Sequence, residues 1–175
     1  DRLSRGLGDV YKRQGLWSYN IGDTIKFTSL EPFRIIVTGR IKHFLSAFGE
    51  HVISEEVEKA MEAATKLHNV AIREFTVAPN INPKEMLPHH EWYVEFESLP
   101  KDMLAFSKAL DKEMTRLNIY YKDLIDGKIL KSLEVISVIR GGFNQYMKSE
   151  GRLGGQNKVP RLSTVSYTHL TLPTR

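Results

Sequence analysis

After His43 the hydrophobic period switches repeatedly between two residues and about 3.6, and this constrains the fold more than any other feature. Val57, Ala60, Met61, Ala64 and Leu67 recur at helical spacing behind Ser54, a residue suited to an N-cap. Glu55, Glu56 and Glu58 fall in the first turns, where the helix dipole favours them, so the spacing predicts a helix over 54–67. Residues 70–78 read as a strand, and 79–90, punctuated by Pro79, Pro83 and Pro88, as a loop. Residues 91–97 alternate, with Trp92, Val94 and Phe96 on the core face and Tyr93 on the surface. Asp102 can cap a helix over 103–116 whose core face carries Phe106, Leu110, Met114 and Leu117, and 118–125 continue as a second helical piece. A strand over 133–138 follows, then Gly141-Gly142 and a short amphipathic segment over 143–148; residues 43–48 can form one further strand. The order predicts an α+β fold, a small mixed sheet with helices on one or both faces.

Upstream the pattern is purely β. Residues 24–29 alternate, with Ile25 and Phe27 on one face of a half-buried strand. Residues 34–38 are nearly continuous and β-branched, which predicts a well-buried strand, and the connection over 30–33 has hairpin length. Gly39-Arg40-Ile41-Lys42 then interrupts the apolar run.

The chain has 175 residues, enough to bury a core without disulfides, and no Cys, which excludes a thiolate metal site and a Cys nucleophile. No apolar run approaches the roughly 18 residues of a membrane span and no signal peptide opens the sequence, so the expectation is a cytoplasmic protein without a membrane partner. Residues 1–14 and 165–175 lack either period and resemble translated sequencing-adapter sequence; the natural piece is then expected to be a fragment over about 15–164. Of the net charge of +4, the first fourteen residues carry a surplus of two and Arg175 one more. The remainder is close to neutral, which argues against a nucleic-acid partner.

Several residues can carry chemistry, each beside a plainer reading. Asp23, after Gly22, can accept hydrogen bonds from two vicinal hydroxyls, as in ribose recognition; Gly-Asp is also an ordinary turn pair. Arg40, at a strand end, offers a planar fork of donors to ribose or phosphate oxygens, or pairs with a surface carboxylate. Lys42 is placed as a hinge would be. Gly49-Glu50-His51 forms a turn in which His51 can titrate near neutrality or meet a phosphate, or is simply solvated. Residues 156–161, Gln-Asn-Lys-Val-Pro-Arg, hold two cations and two amides around a proline; the loop can deliver Lys158 to a developing negative charge or be a solvated basic tail. His89 and His90 are adjacent, point apart, and read as loop surface rather than a metal pair. No zinc-helix pattern, Ser-centred elbow or Gly-x-Gly-x-x-Gly is present.

Taken together, the ordered set YNIGD (19–23), VTGR (37–40), FGEHVISEEVEKA (48–60), EWYVEFE (91–97), NIYY (118–121) and GGQNKVPRLS (154–163) resembles the auxin-responsive acyl-acid amido synthetase family, in its bacterial branch, within the adenylate-forming superfamily. The likeness covers about 15–164, the carboxyl-terminal third of a typical member. The resemblance implies a ligase that activates a carboxylic acid with ATP and Mg²⁺ to an acyl-adenylate and transfers the acyl group to an amine such as an amino acid. It implies that 15–41 end the large adenylation domain as a β-hairpin remnant, that Lys42 is the hinge, and that 42–164 form the small mobile domain. Asp23 then holds the ribose hydroxyls, with Tyr19 beside it in the same motif; Arg40 supports the ribose, and His51 stands near the nucleotide where plant members have Lys. Lys158 resembles the mobile lysine that reaches the α-phosphate. The phosphate loop and acyl pocket would lie in the missing N-terminal domain, so the 175-residue chain alone is expected to be inactive. A stand-alone α+β small-molecule-binding or regulatory module is the other reading that the element order permits.

Overall fold

The computed structural model describes residues 23–40, 44–84, 86–151, 158–163 and 173–174. The chain divides into two compact units, Asp1–Phe44 and Leu45–Arg175.

In the first unit β1 (Asp23–Leu30) and β2 (Phe33–Arg40) pair antiparallel around a two-residue turn, Leu30 facing Phe33. The register shifts twice: Thr28 is passed over on β1 and Thr38 on β2, so the offsets cancel and Asp23 faces Arg40. The buried strand expected over 34–38 is not observed. Ile35, Ile36 and Val37 are 41%, 49% and 57% exposed, and Leu30 and Phe33 more so. Among the described residues this two-stranded ribbon has no second layer, so the apolar run marks surface available for burial rather than surface buried.

β3 (Phe44–Leu45), at the chain boundary of the units, and β4 (Val52–Ile53) are paired as a two-residue ladder; of the strand expected over 43–48 only 44–45 are strand among the described residues, because a turn follows at once. Helix α1 (Ser54–His68) starts as expected, but its cap is Ile53 rather than Ser54: the Ile53 N–H donates to Glu56 Oε2 at 3.1 Å. Strands β5 (Ile72–Asn80) and β6 (His89–Phe96) pair antiparallel, and β7 (Glu134–Val138) joins β6 in parallel. Between β6 and β7 come α2 (Met103–Leu117) and α3 (Ile119–Asp126), with α4 (Gly142–Ser149) after β7. Asp102 caps α2 through Ala105 N at 2.9 Å. Asn118 ends α2 and caps α3 through Tyr121 N at 2.8 Å, which splits one apolar run into two helices.

The sheet is covered on both faces. Phe75, Val77, Trp92, Val94 and Phe96 pack against Val57, Ala60 and Ala64 of α1 and Phe106, Leu110 and Met114 of α2. On the opposite face Ala78, Tyr93 and Val138 pack on Phe143 of α4. Two expectations fail for this reason. Tyr93 is buried, because β6 is the middle strand of three and has helices on both sides. His89 and His90 are buried strand residues rather than loop surface, because pairing extends through Pro79↔His90 and Asn80↔His89 and absorbs both ends of the proline-rich stretch. Gly142 permits α4 to close onto β7: a Cβ there would lie 2.5 Å from Val138 Cγ1.

Candidate functional site

Four of the sequence-predicted positions lie among the described residues, Asp23 and Arg40 in the first unit and His51 and Lys158 in the second. At the open end of the hairpin, Asp23 and Arg40 occupy one rung. An Asp and an Arg seventeen positions apart thus share a strand end. Tyr19 and Lys42 lie outside the described residues.

In the second unit the turn between β3 and β4 carries His51. Gly49 and His51 both have left-handed backbones, with φ of +93° and +47°. The exposed His51 ring has Nδ1 3.2 Å from Ser46 Oγ and meets Tyr120 edge-on at 6.0 Å. Beneath it Glu50 is completely buried. One oxygen, Oε2, accepts from Phe48 N at 2.8 Å, and the other, Oε1, accepts from His90 Nε2 at 2.9 Å. The His90 ring stacks on Phe48 and on Tyr121, with centroids 6.5 and 5.2 Å away. Asn118 Nδ2 donates both to the Glu50 carbonyl and to Glu56 Oε2, each at 3.0 Å. Tyr121 donates to Asp111 Oδ1 at 2.7 Å, and burial followed by the Asp111 charge raises its hydroxyl far above the ordinary value.

This network pins the turn from below, so the left-handed residues are held by buried partners rather than by local preference. Burial alone would raise the Glu50 carboxyl. The hydrogen bond and charge of His90, together with the backbone N–H groups of Glu50 and Phe48, outweigh it and hold the group below the ordinary carboxylate value. A carboxylate whose folded pKa is depressed stabilises the fold above its unfolded value of about 4.3, and that contribution disappears as pH falls through the folded value. Denaturation midpoints measured from pH 7 down to about pH 3 should therefore fall more steeply for the wild type than for Glu50→Gln. Parallel curves would exclude Glu50 as the source.

The third feature is the 158–163 segment, which adds to the outer edge of β5. Val77 N donates to the Arg161 carbonyl at 3.0 Å, Ser163 N donates to the Val77 carbonyl at 2.8 Å, and Thr76 Oγ1 donates to the Pro160 carbonyl at 2.7 Å. Arg161 donates to Glu58 Oε1 at 3.1 Å, to Glu74 Oε1 and to the Phe75 carbonyl, and its guanidinium sits 4.5 Å from the Phe75 ring centroid. The basic segment is thus anchored rather than a solvated tail. Of its two cations Arg161 is fully engaged in structure, while Lys158, the first described residue of the segment, is exposed. Glu50, His90 and Asn118 were missed as site-supporting residues, because their partners lie forty to sixty-eight positions away in the sequence.

Residues 55–166 match the family model described as the GH3 family C-terminal domain. No curated protein matches the chain. Among solved structures, one described as GH3.15 acyl acid amido synthetase aligns with a TM-score of 0.72 at 22% identity, covering 90% of this chain and 31% of that one. Another, described as AtGH3.15 acyl acid amido synthetase in complex with 2,4-DB, aligns with a TM-score of 0.69 at 21% identity, covering 89% and 30%. At these identities the likeness is one of fold, and the chain spans about a third of the length of these relatives. The family model covers more than half of the chain, which therefore belongs to the GH3 family through its C-terminal domain.

Proposed function

We propose that this chain is the carboxyl-terminal part of an ATP-dependent acyl-acid amido synthetase, with 15–41 ending the adenylation domain and 42–164 forming the small domain that moves about Lys42. The observation that carries this reading is membership of the GH3 family across 55–166, whose aligned solved structures are described as acyl acid amido synthetases. When bound, ATP would supply an α-phosphorus that the carboxylate attacks with loss of pyrophosphate, and an amine would then take the acyl group from the adenylate with release of AMP. Asp23 accepts from the two ribose hydroxyls, with Tyr19 alongside in the same motif. Arg40, on the same rung as Asp23, donates to the ribose and fixes its orientation. Lys158 approaches the α-phosphate and stabilises the charge that develops there. His51, on its pinned turn, offers a hydrogen bond to the nucleotide. Among the described residues no group of three or more His, Asp or Glu is disposed to hold a metal ion, so no step is assigned to Mg²⁺ here.

Acid-dependent ATP–pyrophosphate exchange tests the reading in the complete protein. Exchange is expected from the complete enzyme and not from the 175-residue chain alone. Asp23→Ala should raise the KM for ATP roughly ten- to a hundredfold, the loss of charge-assisted hydrogen bonds to two hydroxyls. Wild-type behaviour of that variant would remove Asp23 from the site, and exchange by the short chain would overturn the division of labour.

A further inference from the structure

The GH3 reading gives no role to a groove of about 710 Å³ on the second unit, between α2 and residues 131–135. Its volume is that of a small-molecule site. Helix α2 lines it with two rows at i, i+4, i+8 spacing: Leu104, Lys108 and Lys112, then Ser107, Asp111 and Thr115. Met103, Leu133 and Val135 complete an apolar lining with Leu104. The two walls are tied together, because Ser107 Oγ donates to the Leu133 carbonyl at 3.3 Å and Leu133 N donates to Asp111 Oδ1 at 3.1 Å. The groove is therefore held open by the fold rather than by loose side chains.

Its charge is unbalanced. Asp111 Oδ1 already accepts from Tyr121 and Leu133. Glu134 faces the buried His89 at 3.3 Å and Lys131 at 4.0 Å. Lys108 and Lys112 have no carboxylate within ion-pair distance among the described residues. Two ammonium groups one helical turn apart thus border an apolar surface with no carboxylate in ion-pair contact, and the lining as a whole, Lys108, Lys112 and Lys131 against Asp111 and Glu134, carries one net positive charge. We propose that this groove binds an amphipathic organic anion, its apolar body between Leu104, Leu133 and Val135 and its carboxylate between Lys108 and Lys112. A neutral apolar molecule leaves both lysines unmatched.

Decanoate is a suitable probe, with 1-decanol as its uncharged control, titrated into the isotope-labelled full chain by NMR. Decanoate should shift amides of α2 around Leu104, Lys108 and Lys112 together with those of 132–135. The Lys108→Gln/Lys112→Gln variant should weaken decanoate about fivefold, the scale of two solvent-exposed ion pairs, and leave decanol unchanged. Leu104→Glu, at a position 65% exposed, should weaken decanoate similarly. Raised salt should weaken decanoate in the wild type only. Shifts confined to the hairpin, equal binding of acid and alcohol, or indifference to both variants would each overturn the proposal. None of these outcomes depends on adenylation, so failure here leaves the amido synthetase reading intact.

Discussion

Glu50→Ala should destabilise the protein by about 3–5 kcal/mol in equilibrium urea unfolding at pH 7, the usual cost of removing one partner from a buried, hydrogen-bonded pair. The truncation leaves His90 with neither ring nitrogen satisfied, since Nδ1 is already buried without a partner among the described residues. It also frees the Phe48 N–H and opens a cavity under the turn that carries Gly49 and His51. Set against a typical total of 5–15 kcal/mol, this loss decides whether the domain is folded at 37 °C. Glu50→Gln keeps the volume and one acceptor and should cost less. The double variant Glu50→Leu/His90→Phe removes both polar groups and preserves a ring between Phe48 and Tyr121, so it should recover most of the loss. A single-variant loss under about 1 kcal/mol would show that the network is ornamental to stability.

On the proposed function, Lys158→Ala in the complete protein should lower the adenylation rate about 10²- to 10³-fold, the effect of deleting one preorganised donor to developing charge. Melting temperature should be unchanged, because Lys158 is exposed and the strap is held through Arg161, Thr76 and Val77. The contrast between two cations three residues apart is the informative part. Arg161→Ala should reduce stability, since it breaks links to Glu58, Glu74 and the Phe75 carbonyl together. A rate loss below tenfold for Lys158→Ala would assign the α-phosphate contact elsewhere.

Much of the fold can be read along the chain because it depends on local periodicity. The α1 and α2 stripes, the Asp102 cap and the break at Asn118 all involve residues within one or two turns of each other. The misplacements share a cause, which is that burial is a property of neighbours in space. Tyr93 alternates as a surface residue would, yet α4 covers that face. Pro79 punctuates a loop by composition, yet sits at a strand end opposite His90. The run over 34–38 reads as a buried strand, yet lies on a ribbon that has no second layer among the described residues. Ser54 is the better capping residue by type, but the Glu56 carboxylate reaches the Ile53 N–H and sets the helix start one residue earlier.

The sequence by itself determined the class of fold, the positions of the helices and the family, because each rests on residue types at short, fixed spacings. It also nominated Asp23, Arg40, His51 and Lys158 one at a time. Tertiary structure decided how those positions are held. Cancelling register shifts at Thr28 and Thr38 put Asp23 and Arg40 on one rung; a single shift would have moved Arg40 to a different partner. Long-range hydrogen bonds separated Arg161, an anchor, from Lys158, an exposed cation. Contacts spanning forty and sixty-eight positions, from Glu50 to His90 and to Asn118, fixed the turn under His51. Pairings at such separations leave no period in the sequence, since either partner is compatible with many others until the chain has closed around them.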